Sequence, residues 1–88
     1  MDAVKFGKSL RKIRDEKEMT AVELASKIGY TQPYISMLEN GRKGIPKPDT
    51  LRKIAKGLGV PFVQLLIIAD VLTTEDIKEF ANARHLHR

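Results

Sequence analysis

Apolar residues recur along the chain at the spacing of amphipathic helices, and turn-forming residues divide them into short segments. Residues 4–17 place Phe6, Leu10 and Ile13 at positions i, i+4 and i+7, which puts all three on one face of a helix. Similar apolar stripes follow in residues 21–28, 32–40, 48–58 and 62–71. The pattern predicts a compact all-α domain of five helices.

Residues 21–40 have the pattern of a helix-turn-helix. Thr20 and Glu23 form the signature of a capping box at the start of its first helix. Gly29 tolerates the left-handed backbone that ends this helix, and Ala25 is small enough for a close helix crossing. The space between the two helices is expected to be filled by four apolar side chains: Leu24, Ile28, Ile35 and Leu38.

The segment 62–71 is apolar nearly all round, so a helix there must be covered on two sides. A short sixth helix is expected from Thr73 or Thr74 to about residue 83, and its apolar stripe covers the fifth helix in the same chain or in a partner. We therefore expect one domain over residues 1–69, with its helix-turn-helix at residues 21–40, and a helical extension over residues 70–88 that is a candidate dimerisation element. The candidate dimerisation residues are Ile67, Ile68, Val71, Ile77 and Phe80.

The length of 88 residues limits the chain to one small domain with a modest core, for which association is an expected source of stability. The absence of cysteine excludes disulfide scaffolds, thiolate metal sites and cysteine nucleophiles. No signal peptide or membrane-length apolar run is present, so a cytoplasmic protein is expected. The pair His85 and His87 has no acid or nucleophile partner in sequence, and we expect neither an enzyme nor a metal or cofactor site.

Positive charge is concentrated in the first part of the chain. Residues 1–60 carry thirteen Lys or Arg against seven Asp or Glu, whereas residues 61–88 carry three against four. Six of the cations lie within residues 42–56, beside Asp49 as the single acid. This local field suits a polyanion such as nucleic acid, and the alternative is a solvated helix face.

Two adjacent segments, residues 19–29 (MTAVELASKIG) and 31–41 (TQPYISMLENG), resemble the lambda-repressor/Cro-like (Xre-type) helix-turn-helix family. Residues 6–14 (FGKSLRKIR) and 48–60 (PDTLRKIAKGLGV) are similar to the first and fourth helices of that family, and the resemblance covers about residues 4–68. It implies a lambda-repressor-like five-helix domain that binds double-stranded DNA as a transcriptional regulator, usually as a dimer on an inverted repeat.

The third helix carries the candidate base-reading residues. Ile35 and Leu38 mark its buried side, and the opposite side presents polar and apolar groups to the major groove. Gln32 is able to pair with N6 and N7 of adenine, and Ser36 is able to donate or accept. The resemblance implies base reading by Gln32, Pro33, Ser36 and Met37.

The chain departs from the family pattern at three positions of the helix-turn-helix. Ala21 stands where many relatives have a glutamine that braces the first residue of the recognition helix, so Gln32 is expected to be less firmly oriented. Pro33 and Met37 replace polar readers, and they offer thymine methyls an apolar contact without a hydrogen bond. We therefore expect greater reliance on thymine contacts and on DNA shape.

Phosphate contacts are expected to frame the recognition helix. The candidates are Thr20, Thr31, Tyr34, Asn40, Arg42, Lys43 and Lys47. For Tyr34 the alternative is a partly buried aromatic with a hydrated hydroxyl, and for Asn40 it is a helix C-cap. The resemblance also pairs Arg14 with Glu39 in a structural ion pair that would fix the third helix.

Three functional hypotheses follow. The leading one is a sequence-specific repressor or repressor-activator that binds DNA as a symmetric homodimer and competes with or recruits RNA polymerase. The second is a protein-interaction module on the same fold, of the antitoxin or antirepressor type. The third is the amino-terminal part of a longer repressor.

Overall fold

The structure is a computed structural model that describes residues 2–71 and 75–79. The described residues form five helices, α1 (Ala3–Glu16), α2 (Ala21–Ile28), α3 (Gln32–Glu39), α4 (Pro48–Leu58) and α5 (Phe62–Ile68), and they contain no strand. Residues 75–79 are helical as well. The all-α prediction is therefore confirmed. Within this part of the chain, no helix has the length and apolar character to cross a membrane.

The helix ends follow from local side-chain and backbone chemistry. Asp2 caps α1 by accepting a hydrogen bond from the Val4 amide over 2.9 Å. Thr20 and Glu23 form the expected capping box at the start of α2, with each side chain accepting from the other residue's amide. Gly29 has φ 74° and ends α2 in the left-handed conformation.

The fifth helix ends earlier than its sequence indicates. We expected it to reach about Val71, but α5 stops at Ile68 because Asp70 takes a left-handed conformation with φ 62°. The amide of Asp70 donates to the Ile67 carbonyl over 3.0 Å, which closes the turn. Of the expected sixth helix, residues 75–79 are helical, and the remainder lies outside the described residues.

The core lies where the five helices converge. Helix α1 packs on α3, α2 packs on both α3 and α4, and α4 packs on α5. The largest fully buried side chains come from every helix: Phe6, Leu10, Leu24, Ile35, Leu38, Leu51, Ile54 and Leu65. Arg52 on α4 also lies over the ring of Phe62, 4.2 Å from its centroid, and so joins α4 to α5 through a cation–π contact.

Two glycines inside helices mark close helix crossings. A Cβ at Gly7 would overlap the backbone carbonyls of Leu38 and Glu39, so α1 approaches the end of α3 without a side chain between them. A Cβ at Gly57 would lie 2.6 Å from Cγ2 of Ile28, so the side chain of Ile28 on α2 packs against the backbone of α4. Glycine destabilises each helix by about 1 kcal/mol relative to alanine, and the close packing between helices offsets this cost.

Candidate nucleic-acid interface

Helix α3 is held against the domain by its buried side. Ile35 is 0% exposed and Leu38 1% exposed, and both lie in the core between α1 and α2. At the end of α3, Glu39 accepts two hydrogen bonds from the guanidinium of Arg14, at 2.6 and 2.9 Å. These contacts fix the direction in which the opposite side of α3 faces solvent.

The sequence-predicted base-reading residues lie together on the solvent side of α3. Gln32 and Pro33 are exposed at its amino-terminal end, Ser36 is half-buried, and Met37 is 37% exposed. The surface they form combines one amide, one hydroxyl and two apolar groups. Such a surface suits the mixed hydrogen-bonding and methyl-bearing edges of base pairs in a major groove.

The side chain of Gln32 is oriented along the helix. Its amide nitrogen donates to Oγ of Ser36, one turn further on in α3. Ser36 therefore gives Gln32 an orienting contact within α3 itself. The amide oxygen of Gln32 therefore stays available to a ligand.

Two threonines begin the helices of the motif. Oγ1 of Thr20 accepts from the Glu23 amide over 3.0 Å, and Oγ1 of Thr31 accepts from the Tyr34 amide over 3.4 Å. Each hydroxyl keeps its own proton for donation to an anion near a helix amino terminus. The backbone amide of Thr20 donates to Glu23, and this hydrogen bond lowers the pKa of the Glu23 carboxyl below its ordinary value of 4.5.

Tyr34 stacks on Tyr30, a residue that the sequence analysis did not single out. The ring centroids are 4.6 Å apart and the planes differ by 29°. Burial raises the pKa of the Tyr34 phenol above 10.0, so the hydroxyl remains a neutral donor at physiological pH. The signal in the sequence is the spacing of four residues between two aromatics across a tight turn. The spacing does not predict a stack by itself, because Gly29 marks the end of the preceding helix and Tyr30 therefore shares no helix with Tyr34.

The loop after α3 carries the cationic candidates. Arg42, Lys43 and Lys47 are exposed, and Nζ of Lys43 lies 5.5 Å from the centroid of the Tyr34 ring. None of the three takes part in an ion pair with another described residue. Asn40 is exposed and forms the C-cap of α3, which leaves its side chain beside this loop.

Three of the five candidate dimerisation residues lie at or just after the end of α5. Ile67 is 37% exposed and Val71 48% exposed, whereas Ile68 and Ile77 are half-buried. Phe80 lies outside the described residues. Val63, which the sequence analysis omitted, is 38% exposed and lies one turn before Ile67 on the same side of α5. The exposed apolar surface is therefore centred on Val63 and Ile67.

The described residues contain no group of three or more His, Cys, Asp or Glu side chains that would hold a metal ion. His85 and His87 lie outside the described residues.

The sequence and the fold match known proteins. A helix-turn-helix family model matches residues 10–65, which is more than half of the chain. The chain is 38% identical over 74 residues to the HTH-type transcriptional repressor RghR of Bacillus subtilis, a match that covers 84% of this chain and 53% of that protein. It is 38% identical over 64 residues to the HTH-type transcriptional regulator y4dJ of Sinorhizobium fredii, with 73% of this chain and 82% of that protein covered. The chain spans about half the length of the Bacillus subtilis relatives that it matches.

Two solved structures share the fold. The clp gene regulator ClgR of C. glutamicum superposes with a TM-score of 0.68 at 32% identity, covering 77% of this chain and 87% of that one. The restriction-modification controller protein C.AhdI of Aeromonas hydrophila has a TM-score of 0.68 at 30% identity, with 73% and 91% covered.

Proposed function

The chain belongs to the helix-turn-helix family of DNA-binding transcriptional regulators, which are not enzymes, and we propose that it acts as a dimeric repressor on an inverted-repeat operator. In this proposal, α3 of each protomer enters the major groove, and two copies bind half-sites about 34 Å apart on one face of the DNA. Repression follows when the bound dimer competes with RNA polymerase for the same DNA.

The exposed side of α3 is the observation that carries this proposal. The buried residues Ile35 and Leu38 hold α3 against the domain, so the opposite side of the helix projects from the surface. An α-helix fits the width of the major groove, and Gln32 at its leading end has the donor and acceptor pair that matches adenine. Met37, one and a half turns later, offers an apolar contact for a thymine methyl.

Phosphate binding is proposed for the residues that surround α3. Thr20 and Thr31 offer hydroxyl protons at two helix amino termini, and Tyr34 offers a neutral phenol. Asn40 would bind from the end of α3, and the remaining candidates supply positive charge from the following loop: Arg42, Lys43 and Lys47. These contacts set the register of α3 in the groove and carry no sequence information themselves.

Dimerisation is proposed through the end of α5. Val63 and Ile67 present an exposed apolar surface that the domain's own core does not use, and Val71 extends it. A two-fold contact through this surface would pair like with like, as closed homodimers do. The repressor role is supported by the similarity to RghR, which is described as a transcriptional repressor.

A binding selection from random double-stranded DNA at about 0.15 M salt tests the proposal. The expected result is an enriched inverted repeat whose half-sites lie about one helical turn apart. Enrichment of a single half-site would contradict the dimer, and a folded protein that enriches no sequence would contradict sequence reading. Sedimentation of Ile67→Asp beside wild-type protein tests the dimer independently, because the substitution should shift the population toward monomer.

A further inference from the structure

Two tyrosines and two lysines form a continuous ladder across four parts of the chain: the loop after α3, α3 itself, the turn before it and α4. Lys43 lies 5.5 Å from the centroid of the Tyr34 ring, Tyr34 stacks on Tyr30 at 4.6 Å, and Lys53 lies 5.8 Å from the centroid of the Tyr30 ring. The ladder starts in the loop after α3, crosses the turn between α2 and α3, and ends on α4. It thus links the proposed phosphate contacts at Lys43 and Tyr34 to a lysine on a different helix.

Tyr30 is fixed at the centre of this ladder by its backbone and by its hydroxyl. Its amide donates to the Ala25 carbonyl over 2.9 Å, the bond that closes the end of α2 after Gly29. Its hydroxyl lies 3.4 Å from Oγ1 of Thr50 on α4. The ring therefore has a defined position from which it is able to orient its neighbours.

No carboxylate of the described residues offsets the positive charge of Lys53. Its side chain is exposed, and it forms no ion pair with any described residue. A ring face attracts an ammonium group without neutralising it. Lys27 and Lys56 line a groove of about 410 Å³ together with Lys53, so positive charge continues beyond the ladder on this side of the domain.

We propose that Lys53 binds the DNA backbone beyond the phosphates contacted by Tyr34 and Lys43, and that Tyr30 is the positioning residue that holds it there. This inference rests on the proposed placement of α3 in the major groove. The ladder sets Lys53 on the far side of the tyrosine stack from Lys43. A DNA strand that passes Lys43 and Tyr34 toward the start of α3 reaches Lys53 next. The regularly spaced phosphates of that strand match cations that lie in a row.

Salt-dependent binding to a 30-base-pair duplex of mixed sequence tests Lys53 directly. Each phosphate neutralised adds about 0.9 to the slope of log affinity against log salt. Lys53→Gln is expected to reduce that slope by about 0.9, so that the loss of affinity between 50 and 200 mM salt becomes about 3.5-fold smaller than in wild-type protein. The matched control is Lys12→Gln on α1, which removes the same charge outside the ladder and is expected to leave the slope unchanged.

Substitutions of Tyr30 test the positioning role. Tyr30→Ala is expected to reduce the slope as Lys53→Gln does, and adding Lys53→Gln to it should change nothing further. Tyr30→Phe keeps the ring and is expected to have the same slope as wild-type protein. Thermal unfolding of each variant, followed by circular dichroism, identifies any loss of DNA affinity that is caused by destabilisation of the fold.

The outcomes separate this inference from the proposed function. Equal slopes for Lys53→Gln and Lys12→Gln would overturn the Lys53 contact, and a Tyr30→Phe variant as weak as Tyr30→Ala would overturn the positioning role of the ring. If Lys43→Gln also leaves the slope at its wild-type value, the proposed placement of α3 fails instead.

Discussion

Arg14 and Glu39 join the end of α1 to the end of α3 through two parallel hydrogen bonds. Nε of Arg14 donates to Oε2 of Glu39 over 2.6 Å and Nη2 donates to Oε1 over 2.9 Å. Nη1 of Arg14 also donates to the Met19 carbonyl over 2.6 Å, which ties in the turn before α2. The hydrogen bond with Glu39 raises the pKa of Arg14, so the guanidinium stays charged throughout the physiological range. One guanidinium thus sets the relative position of three helices.

Removing either partner of this pair should destabilise the domain. The side chains are only 11% and 7% exposed, so Glu39→Ala leaves a largely buried guanidinium whose remaining ionic partner is the exposed carboxylate of Asp15, 3.4 Å away. We expect the free energy of unfolding to fall by about 3 kcal/mol in urea denaturation. The control is Arg11→Ala, which removes a 3.8 Å pair with Asp15 whose side chains are 65% and 60% exposed. It should change stability by less than about 0.5 kcal/mol, and equal losses in the two variants would contradict a structural role for Glu39.

Gly7 should tolerate no side chain. A Cβ there would lie 2.6 Å from the Glu39 carbonyl oxygen and would also overlap that of Leu38. Because backbone atoms cannot rotate away, Gly7→Ala is expected to lower the free energy of unfolding by about 2 kcal/mol, even though alanine favours helix formation. Gly44→Ala is the control, since no heavy atom lies within 4 Å of its Cβ position. A Gly7→Ala protein as stable as wild type would show that α1 and α3 are further apart than the structure places them.

The capping box of α2 should make stability depend on pH in the acid range. The Thr20 amide lowers the pKa of Glu23 below 4.5 in the folded protein, so the carboxylate stabilises the fold above that value and ceases to do so as pH falls through the folded pKa. Glu23→Gln should therefore be less stable than wild type at neutral pH, and the difference should close as pH falls through the folded pKa of Glu23, as followed by urea midpoints.

Thr20→Ala provides the comparison for this experiment. The substitution removes the hydrogen bond that the Glu23 amide donates to Oγ1 of Thr20, and it should lower the free energy of unfolding by about 1 kcal/mol. Because neither group titrates, most of this loss should persist at acid pH. A Glu23→Gln difference that stays constant from neutral to acid pH would refute the account of the cap.

The helix boundaries could be predicted from the sequence because they depend on interactions between residues close together in the chain. Thr20, Glu23 and Gly29 act on atoms within one turn, and each does what its residue type predicts. The end of α5 was not accessible in this way, since Asp70 takes the left-handed conformation that glycine more often supplies. The expected extension to about Val71 was wrong for this reason.

The candidate site was predictable to the extent that it lies on one helix. The face of α3 that carries Gln32 and Met37 follows from helical periodicity alone. The stack of Tyr30 on Tyr34, and the approach of Lys53 to it, depend on how α4 packs on α2, which no local pattern encodes. The same long-range packing explains why the roles of Gly7 and Gly57 appear only in the structure.

Met37 should contribute to the recognition of thymine. Its side chain is 37% exposed on the outer side of α3, where it is able to contact a C5 methyl group. In sites selected from random DNA, Met37→Ala is expected to reduce the preference for thymine at one position of each half-site by about 1 kcal/mol. Val22→Ala is the matched control, because Val22 is 63% exposed but lies on α2. An unchanged thymine preference in Met37→Ala would refute the contact.

In the proposed complex, α3 reads base sequence while the residues around it bind phosphate. The most direct measurement compares sites selected from random DNA by wild-type protein, Gln32→Ala and Lys43→Gln. We expect Gln32→Ala to lose the preference for adenine at a single symmetric position, with the remaining positions intact. Lys43→Gln should recover the wild-type site with uniformly lower affinity and a salt slope smaller by about 0.9. A Gln32→Ala pool identical to that of wild type would contradict the placement of α3 in the major groove.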